Sequence, residues 1–146
     1  MSTITIQQVS ATEPLFENAR TVRKIVFIDE QKVPADEEYD EFETSSTHYL
    51  AYINNEAVGT CRFRQTEKGY KLERFAVLKD YRGKGVGSKL VESCLQAIPQ
   101  KSYIYLHAQL TAMPLYKKHG FVAFGDLFYE CDIAHYAMKR EGTTSL

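Results

Sequence analysis

Apolar and polar residues alternate along several short stretches of the chain, which predicts β-strands because successive side chains of a strand point to opposite faces of a sheet. The stretches are residues 3–9, 48–53, 57–64, 70–77, 103–108, 121–124 and 133–138. Over residues 15–26, 86–98 and 112–118, apolar residues recur instead at spacings of three and four, the pattern of an amphipathic helix. The mixture of the two patterns predicts an α+β fold in which helices cover a sheet.

The segment between the predicted strand 70–77 and the next helix has the chemistry of an anion-binding turn. It reads Arg82-Gly83-Lys84-Gly85-Val86-Gly87-Ser88. The start of a helix leaves about four backbone N–H groups without partners, and their dipoles favour an anion. The glycines lack a Cβ atom, so N–H groups can approach phosphate oxygens closely, and the Arg and Lys add positive charge. The turn is therefore predicted to hold a pyrophosphate.

Two common phosphate-binding motifs do not match this turn. The Walker motif places Lys before Ser or Thr, whereas the order here is Gly87-Ser88-Lys89. The dinucleotide fingerprint requires a third glycine where this chain has Ser88, and the residues that follow are too few for the second half of a doubly wound sheet. The alternative to an anion site is a glycine-rich turn whose Lys and Arg side chains are only solvated.

Three flanking motifs favour a pyrophosphate site. The turn resembles the Arg/Gln-x-x-Gly-x-Gly/Ala signature of the GNAT acyl-CoA-dependent N-acetyltransferases. Residues 72–77 (LERFAV) resemble their fourth strand, and residues 112–121 (AMPLYKKHGF) resemble their A-x-x-L-Y-x-x-x-G-F element. Residues 22–34 (VRKIVFIDEQKVP) resemble a bacterial GNAT subgroup with a V-F-x-x-E-Q signature. On these motifs the chain is identified as a member of the GNAT superfamily.

The resemblance implies the GNAT fold and acetyl-CoA as co-substrate. This fold is a twisted, mostly antiparallel sheet of six to seven strands, splayed between strands 4 and 5 and flanked by about four helices. Backbone groups of Phe75, Ala76 and Val77 would bond the pantetheine arm in the splay. The pyrophosphate would lie on Arg82, Gly83, Lys84, Gly85, Val86, Gly87 and Ser88. Gln109 replaces the asparagine that touches the cofactor in many members, so its longer side chain departs from the pattern.

Attack of an amine on a thioester needs a group that removes a proton from the amine and one that can protonate the departing thiolate. Tyr116 matches the tyrosine that many GNAT enzymes use as the general acid. A phenol, with an ordinary pKa of about 10, can protonate a thiolate, whose thiol has an ordinary pKa of about 8.5. The alternative for this tyrosine is aromatic packing beside Phe121.

Three further residues are candidates for the general base. Glu73 belongs to the predicted fourth strand, where alternation places it on the same face as Phe75 and Val77. His107 lies on the polar face of the predicted fifth strand and can accept a proton as a neutral imidazole. Glu30, in the V-F-x-x-E-Q motif, can bind or deprotonate the acceptor, or it can be a helix-terminal carboxylate paired with a neighbour.

The predicted acceptor is a primary amine of a small molecule. Residues 36–43 (DEEYDEFE) carry six carboxylates, which form either a solvated segment or a rim that attracts a cationic amine. Arg20, Arg23, Arg62 and Arg64 would instead suit a phosphate or carboxylate on the acceptor, or both charge sets are surface residues. The alternative functions are protein-lysine acetylation and non-catalytic binding of acyl-CoA.

Length and composition limit the number of domains, the classes of partner and the location that we expect. The 146 residues, 44% of them hydrophobic, predict one domain over residues 1–141 followed by a short flexible tail over 142–146. A net charge of −1 argues against nucleic acid as a partner. No run approaches eighteen apolar residues and the first ten residues lack a signal-peptide pattern, so we expect a cytoplasmic protein without a membrane partner.

Cysteine and histidine positions predict no metal site. Cys61, Cys94 and Cys131 are widely spaced, form no CxxC pattern, and are expected to be small core residues. No cluster of His, Cys and Asp has the spacing of zinc ligands. The expected partners are acetyl-CoA and the amine, and the sequence is compatible with a homodimer.

Overall fold

The structure, a computed structural model, describes residues 3–140, so the predicted tail over 142–146 lies outside the described residues. The strands are β1 (Ile4–Val9), β2 (Thr47–Ile53), β3 (Glu56–Gln65), β4 (Tyr70–Val77), β5 (Ile104–Gln109), β6 (Phe121–Glu130) and β7 (Ile133–Arg140). The α-helices are α1 (Phe16–Arg23), α2 (Ala35–Glu38), α3 (Val86–Ala97) and α4 (Met113–Lys117), and a π-helix (Lys24–Glu30) continues α1. Short 3-10 turns (Lys79–Tyr81 and Leu110–Ala112) precede α3 and α4.

The strands form one mixed sheet in the order β1-β2-β3-β4-β5-β7-β6. Every neighbouring pair is antiparallel except β4 and β5, which run parallel. The predicted α+β class and mostly antiparallel sheet are therefore confirmed. Strand β6 is longer than the sequence pattern suggested, because it continues past a bulge between Phe124 and Phe128 to Glu130.

The predicted splay between β4 and β5 is present. Only three residues of each strand pair, Tyr70–Leu72 of β4 with Ile104–Leu106 of β5. Beyond them, β4 continues to Val77 and β5 to Gln109 without pairing to each other. The backbone groups of β4 that point toward β5 therefore have no strand partner over residues 73–77, which leaves a wedge-shaped opening in the sheet.

A β-bulge in β4 changes the faces of its residues. Thr60 pairs with Ala76 and Arg62 pairs with Glu73, so two residues of β4 oppose one residue of β3. The extra residue is Arg74, whose backbone has φ of 59°. The expectation that Glu73 shares a face with Phe75 and Val77 is therefore wrong, because the bulge interrupts the alternation on which it rested.

Apolar residues form a core on each face of the sheet. The larger core lies between the sheet and helices α3 and α4, and it contains Leu72, Leu90, Cys94, Leu106 and Tyr116. On the other face α1 packs its apolar stripe, which includes Phe16, Ala19 and Val22, against the sheet. Among the described residues, no helix is long and apolar enough to cross a membrane.

The prediction that all three cysteines are core residues is confirmed for two of them. Cys61 and Cys94 are buried free thiols with their sulfurs 3.6 Å apart. Cys131 is exposed, because it lies in the two-residue turn between β6 and β7, where Cys131 and Asp132 have φ of 49° and 64°. These angles are those of a tight hairpin turn, which puts both side chains outside the sheet.

Candidate active site

The opening between β4 and β5 leads into a cavity of about 1170 Å³. The cavity is lined from both faces of the sheet, since Tyr116 belongs to the core on the α3 side whereas His107 alternates with Leu106 and Ala108 and lies on the opposite side. The turn before α3 lines one end, and the segment around α2 with the β6–β7 hairpin lines the other. A substrate in this cavity can therefore reach through the sheet.

The predicted pyrophosphate turn has an open surface in front of its glycines. Gly83 and Gly85 have φ of 77° and 90°, a conformation that other residues rarely adopt, and a Cβ atom on either would meet no atom within 4 Å. Glycine is favoured at position 87 for a different reason, because a Cβ atom there would lie 3.0 Å from the Leu115 side chain of α4. The surface of the turn just before α3 is therefore open at Gly83 and Gly85, which suits an anion site at the start of that helix.

The remaining residues of the turn divide into lining and exposed side chains. All of residues 82–88 except Lys84 line the cavity, and Lys84 is exposed. The Ser88 hydroxyl lies 2.7 Å from Nε2 of His119, so α3 is tied to the end of α4. Burial lowers the pKa of His119, which favours its neutral form beside that hydroxyl.

Arg82 is held by two partners. Its Nη1 and Nη2 donate to both carboxylate oxygens of Glu30 at 2.7 Å, and its Nε donates to the carbonyl oxygen of Val77 at 2.8 Å. The hydrogen bond from Arg82 lowers the pKa of Glu30. Glu30 does not line the cavity, so the structure brings this predicted catalytic residue to the pyrophosphate turn and away from the other catalytic candidates.

The neighbouring residue of the same motif contacts the other side of the opening. The Gln109 Nε2 atom donates to Oε1 of Gln31 at 3.0 Å, and the reverse contact measures 3.5 Å. Arg82 follows β4 and Gln109 ends β5, so Glu30 and Gln31 connect the π-helix to both edges of the opening. We call residues 24–31, which comprise the π-helix and Gln31, the strap. The sequence indicated the motif but not that it spans the opening.

Tyr116 is buried between two aromatic rings. Its ring centroid lies 5.5 Å from that of Phe75 and 6.2 Å from that of Phe121, both edge to face. Burial raises the pKa of its phenol well above the usual value, so the hydroxyl keeps its proton at neutral pH. Within residues 3–140 this hydroxyl makes no hydrogen bond, and Tyr116 lines the cavity.

His107 is paired with a carboxylate that the sequence did not indicate. Its Nδ1 lies 3.3 Å from Oε2 of Glu130, and Oε1 of the same carboxylate lies 3.6 Å from Nε2 of His135. The hydrogen bond from His107 lowers the pKa of Glu130, which is therefore ionised and accepts the Nδ1 proton. In a neutral imidazole that leaves Nε2 of His107 as a free acceptor. The sequence could have indicated this pair only if β6 had been predicted to extend to residue 130.

Glu73 lies in a network of ion pairs. Its carboxylate contacts Arg62, Arg64 at 2.9 Å and Lys71 at 3.5 Å. Burial alone would raise the pKa of Glu73, but the charge of Arg62 and the hydrogen bond from Arg64 outweigh it and lower the pKa. A carboxylate held by three cations is a weak proton acceptor, although Glu73 does line the cavity.

The alternative that residues 36–43 form a solvated segment holds for only some of them. The alternative that the four arginines lie at the surface is wrong for two of them. Arg23 and Arg62 are buried with side chains only 1% exposed. Arg23 binds Glu38 and Glu43 at 2.7 and 2.9 Å, and Arg62 binds Asp40 and Glu43 at 2.7 Å. Three of the six carboxylates are therefore used to neutralise buried guanidinium groups, because an unpaired buried charge would be far too costly.

Within residues 3–140 no group of three or more His, Cys, Asp or Glu side chains is arranged to hold a metal ion. The cavity offers the glycine-rich turn before α3, a protonated phenol, an imidazole paired with a carboxylate, and several charged side chains.

Three comparisons relate this chain to known proteins. The family model described as "Acetyltransferase (GNAT) domain" matches residues 12–141. The uncharacterized N-acetyltransferase YjcF of Bacillus subtilis (strain 168) is 37% identical over 136 residues, which cover 91% of this chain and 97% of YjcF. The crystal structure of Escherichia coli ElaA has a TM-score of 0.80 at 26% identity, covering 95% of this chain and 100% of that chain. A GNAT family acetyltransferase from Elizabethkingia anophelis with acetyl-CoA bound shares the fold, with a TM-score of 0.69 at 17% identity and coverage of 94% and 97%.

Proposed function

The chain belongs to the GNAT acetyltransferase family, with YjcF and ElaA as relatives, and we propose that it transfers the acetyl group of acetyl-CoA directly to a primary amine of a small molecule. The observation that carries this proposal is the single cavity that joins the anion-binding turn, the splayed strands, Tyr116 and His107. A module that only bound acyl-CoA would have no need of the last two groups.

The residues present fit acetyl-CoA. Open space in front of Gly83 and Gly85 and the unpaired N–H groups at the start of α3 suit a pyrophosphate. The unpaired edge of β4 over residues 73–77 suits the amide groups of a pantetheine arm, which can bond it as an added strand would. Bound there, acetyl-CoA supplies an activated acyl group. The Elizabethkingia relative with acetyl-CoA bound supports this assignment by its fold.

In the proposed mechanism, His107 removes the proton from the amine and Tyr116 holds the proton for the departing thiolate. Nε2 of His107 is the free acceptor because Nδ1 is engaged by Glu130. Burial raises the pKa of Tyr116, so its phenol stays protonated and can donate a hydrogen bond to the sulfur as negative charge develops there. The two groups line the cavity from opposite faces of the sheet, so amine and thiol can occupy opposite sides of the acyl group.

The first experiment is thiol release from acetyl-CoA across amino acids, amino sugars, polyamines and a lysine peptide, with mass spectrometry of the product. Tyr116→Phe removes only the hydroxyl, and we expect kcat to fall about 100-fold with acetyl-CoA affinity unchanged. The matched control is Tyr49→Phe. Tyr49 is also buried, its pKa is raised to about 12 by burial, and it does not line the cavity, so kcat should stay near the wild-type value.

Each outcome has a distinct meaning. Amine-dependent release with acetylated product supports the transferase, and acetylation of the peptide alone would favour the protein-lysine alternative. Tight acetyl-CoA binding without release on any amine would favour the non-catalytic module. An equal loss of kcat in both tyrosine variants would contradict the role of Tyr116 as general acid.

A further inference from the structure

His135 is a histidine of the cavity wall that the proposed mechanism does not use, and its ring is held firmly. Its side chain is only 9% exposed. Nδ1 lies 2.6 Å from the carbonyl oxygen of Ile133. The ring stacks on that of Phe128, with centroids 5.7 Å apart and an interplanar angle of 23°. A rigid imidazole therefore lines the cavity beside the proposed catalytic groups.

The carboxylate of Glu130 lies between two imidazole rings. His107 of β5 lies opposite Ala137 of β7, two residues along from His135, so the two histidines share one face of the sheet. Oε2 of Glu130 is 3.3 Å from Nδ1 of His107, and Oε1 is 3.6 Å from Nε2 of His135. Each carboxylate oxygen thus faces a different imidazole.

Glu130 is the least constrained member of this group. It ends β6, the edge strand of the sheet, and its side chain is 47% exposed. The hydrogen bond from His107 is the largest cause of its lowered pKa, and the charges of His107, His135 and Lys71 add to that lowering. A long exposed side chain keeps rotamer freedom that one hydrogen bond must overcome. A second anchor on Glu130 therefore improves how well it orients His107.

The hydrogen-bond partners of the two rings indicate where their protons lie. Nδ1 of His135 carries a proton, since the carbonyl oxygen of Ile133 can only accept. Nε2 of His135 faces a carboxylate, which is also only an acceptor, so a second proton there completes an ion pair. His107 has only one such partner, because its Nδ1 faces Glu130 and its Nε2 has no hydrogen-bond partner within residues 3–140. An additional proton is therefore better placed on His135 than on His107.

From this geometry we propose that His135 is a positioning residue for the general base. Protonated on both ring nitrogens, it holds Oε1 of Glu130, so that Oε2 keeps the Nδ1 proton of His107 and leaves Nε2 free. The proton of the amine then moves to this Nε2, the electrons of the broken N–H bond remain on the amine nitrogen, and Glu130 balances the imidazolium that forms. This inference rests on the proposed transferase function, in which His107 is the base.

The kinetic test removes the polar atoms of His135 and keeps a ring. His135→Phe retains an aromatic ring beside Phe128 but cannot bind Glu130. We expect kcat to fall about tenfold or more, because the base loses its orientation, while KM stays within about twofold of the wild-type value. His135→Gln, whose amide keeps an N–H donor, should recover part of this loss.

His48→Phe is the matched control. His48 is also a buried histidine with a ring nitrogen, Nε2, 2.8 Å from a carbonyl oxygen, that of Glu43, and it does not line the cavity. Its kcat should stay near the wild-type value, and the melting temperature of each variant shows that it is folded in the assay. No loss of kcat in His135→Phe, or an equal loss in His48→Phe, would overturn the inference.

A measurement without turnover separates this inference from the proposed function. Nitrogen-15 NMR spectra of the imidazole groups in the free protein show which ring nitrogens carry protons. Over a titration from about pH 8 to about pH 5, we expect neutral His107 to carry its proton on Nδ1 and His135 to gain its second proton first. In His135→Phe, neutral His107 should shift toward the form protonated on Nε2.

The spectra and the kinetics can fail independently. An Nδ1-protonated His107 that loses this preference in His135→Phe supports the positioning by His135 even if no amine is acetylated, in which case the transferase proposal fails alone. Three NMR results contradict the inference while acetyl transfer stands: a wild-type His107 protonated on Nε2, a His107 that gains its second proton before His135, or a His107 whose protonation is unchanged in His135→Phe.

Discussion

Arg74 determines which face of β4 each neighbouring residue occupies. Without the bulge, Glu73, Phe75 and Val77 would share one face. With it, Phe75 packs edge to face on Tyr116 while Glu73 joins Arg62 and Arg64 on the other side of the sheet. One residue in a left-handed conformation therefore separates an aromatic wall from a charged wall within a single strand.

Because the bulge places Glu73 among the arginines, we assign different roles to the candidate bases His107 and Glu73. We predict that His107→Gln lowers kcat about 100-fold or more, because it removes the acceptor nitrogen that Glu130 orients. Glu73→Gln should instead lower thermal stability, with a much smaller change in kcat, because its carboxylate neutralises Arg62, Arg64 and Lys71. Steady-state kinetics and thermal unfolding of both variants measure the difference.

A control for these variants is Glu130→Gln, which keeps the size of the side chain but weakens the orientation of His107. Its kcat should fall less than that of His107→Gln, while its melting temperature should change little, since Glu130 lies in an exposed strand end. A larger loss of kcat in Glu73→Gln than in His107→Gln would show that the base is the carboxylate.

At the scale of elements, the strap holds both edges of the opening in the sheet. A π-helix widens the turn of a helix by one residue, as the Gln31 N–H to Val26 carbonyl bond of 3.1 Å illustrates, and such turns are frequent at functional sites. The widened turn presents successive residues, Glu30 and Gln31, to Arg82 and Gln109. The V-F-x-x-E-Q signature thus has a structural reason that its sequence alone did not reveal.

Glu30 occupies both Nη atoms of Arg82, which an anionic ligand at the proposed pyrophosphate turn would need. The pair is bidentate but well exposed, so its own contribution to stability is small, about 1 kcal/mol or less. We predict that Glu30→Gln strengthens CoA binding by about two- to tenfold, because a neutral amide with one acceptor oxygen cannot hold both Nη atoms of Arg82, while Val77 still holds its Nε. Isothermal titration with CoA measures the change.

The control for Glu30→Gln is dephospho-CoA and a panel of salt concentrations. The gain should persist with dephospho-CoA, since the pyrophosphate is retained, and should diminish at high salt. Weaker CoA binding in Glu30→Gln would instead mean that Glu30 positions Arg82 for the ligand, and the competition argument would then be wrong.

At the scale of the whole molecule, periodicity and motifs predicted the sheet, its antiparallel character and the turn before α3 with good accuracy. Strand β4 was predicted at its observed limits, Tyr70–Val77, because these limits follow from residues that are neighbours in the sequence. The bulge at Arg74, the length of β6 and the His107–Glu130 pair could not be predicted, since each depends on register between distant strands. Burial of Arg23 and Arg62 was missed because the sequence pattern does not show which carboxylates reach them.

The buried ion-pair network joins β3, β4, α1 and the segment after α2, so its charge state affects the entire fold. Arg62 donates to Asp40, Glu43 and Glu73. Burial alone would raise the pKa of Asp40, but its hydrogen bond and charge interaction with Arg62 outweigh burial and hold that pKa at about 2, below its ordinary value of 3.8. A carboxyl with a depressed folded pKa stabilises the fold above its unfolded pKa and loses this contribution as pH falls through the folded pKa.

We therefore predict a stability penalty for Arg62→Met that depends on pH. At pH 7 the variant leaves three carboxylates without their shared cation and should lose about 3–5 kcal/mol, which is roughly 10 °C in melting temperature. Between about pH 4 and pH 2 the penalty should shrink, because protonation removes the same interactions from the wild type. Arg20→Met is the matched control, since Arg20 forms an exposed pair with Glu17 and should change the melting temperature little at any pH. Thermal unfolding followed by circular dichroism from pH 7 to pH 2 measures both variants. An Arg62→Met penalty that is equal at pH 7 and pH 2 would mean that packing of the long side chain, and not its ion pairs, stabilises this part of the fold.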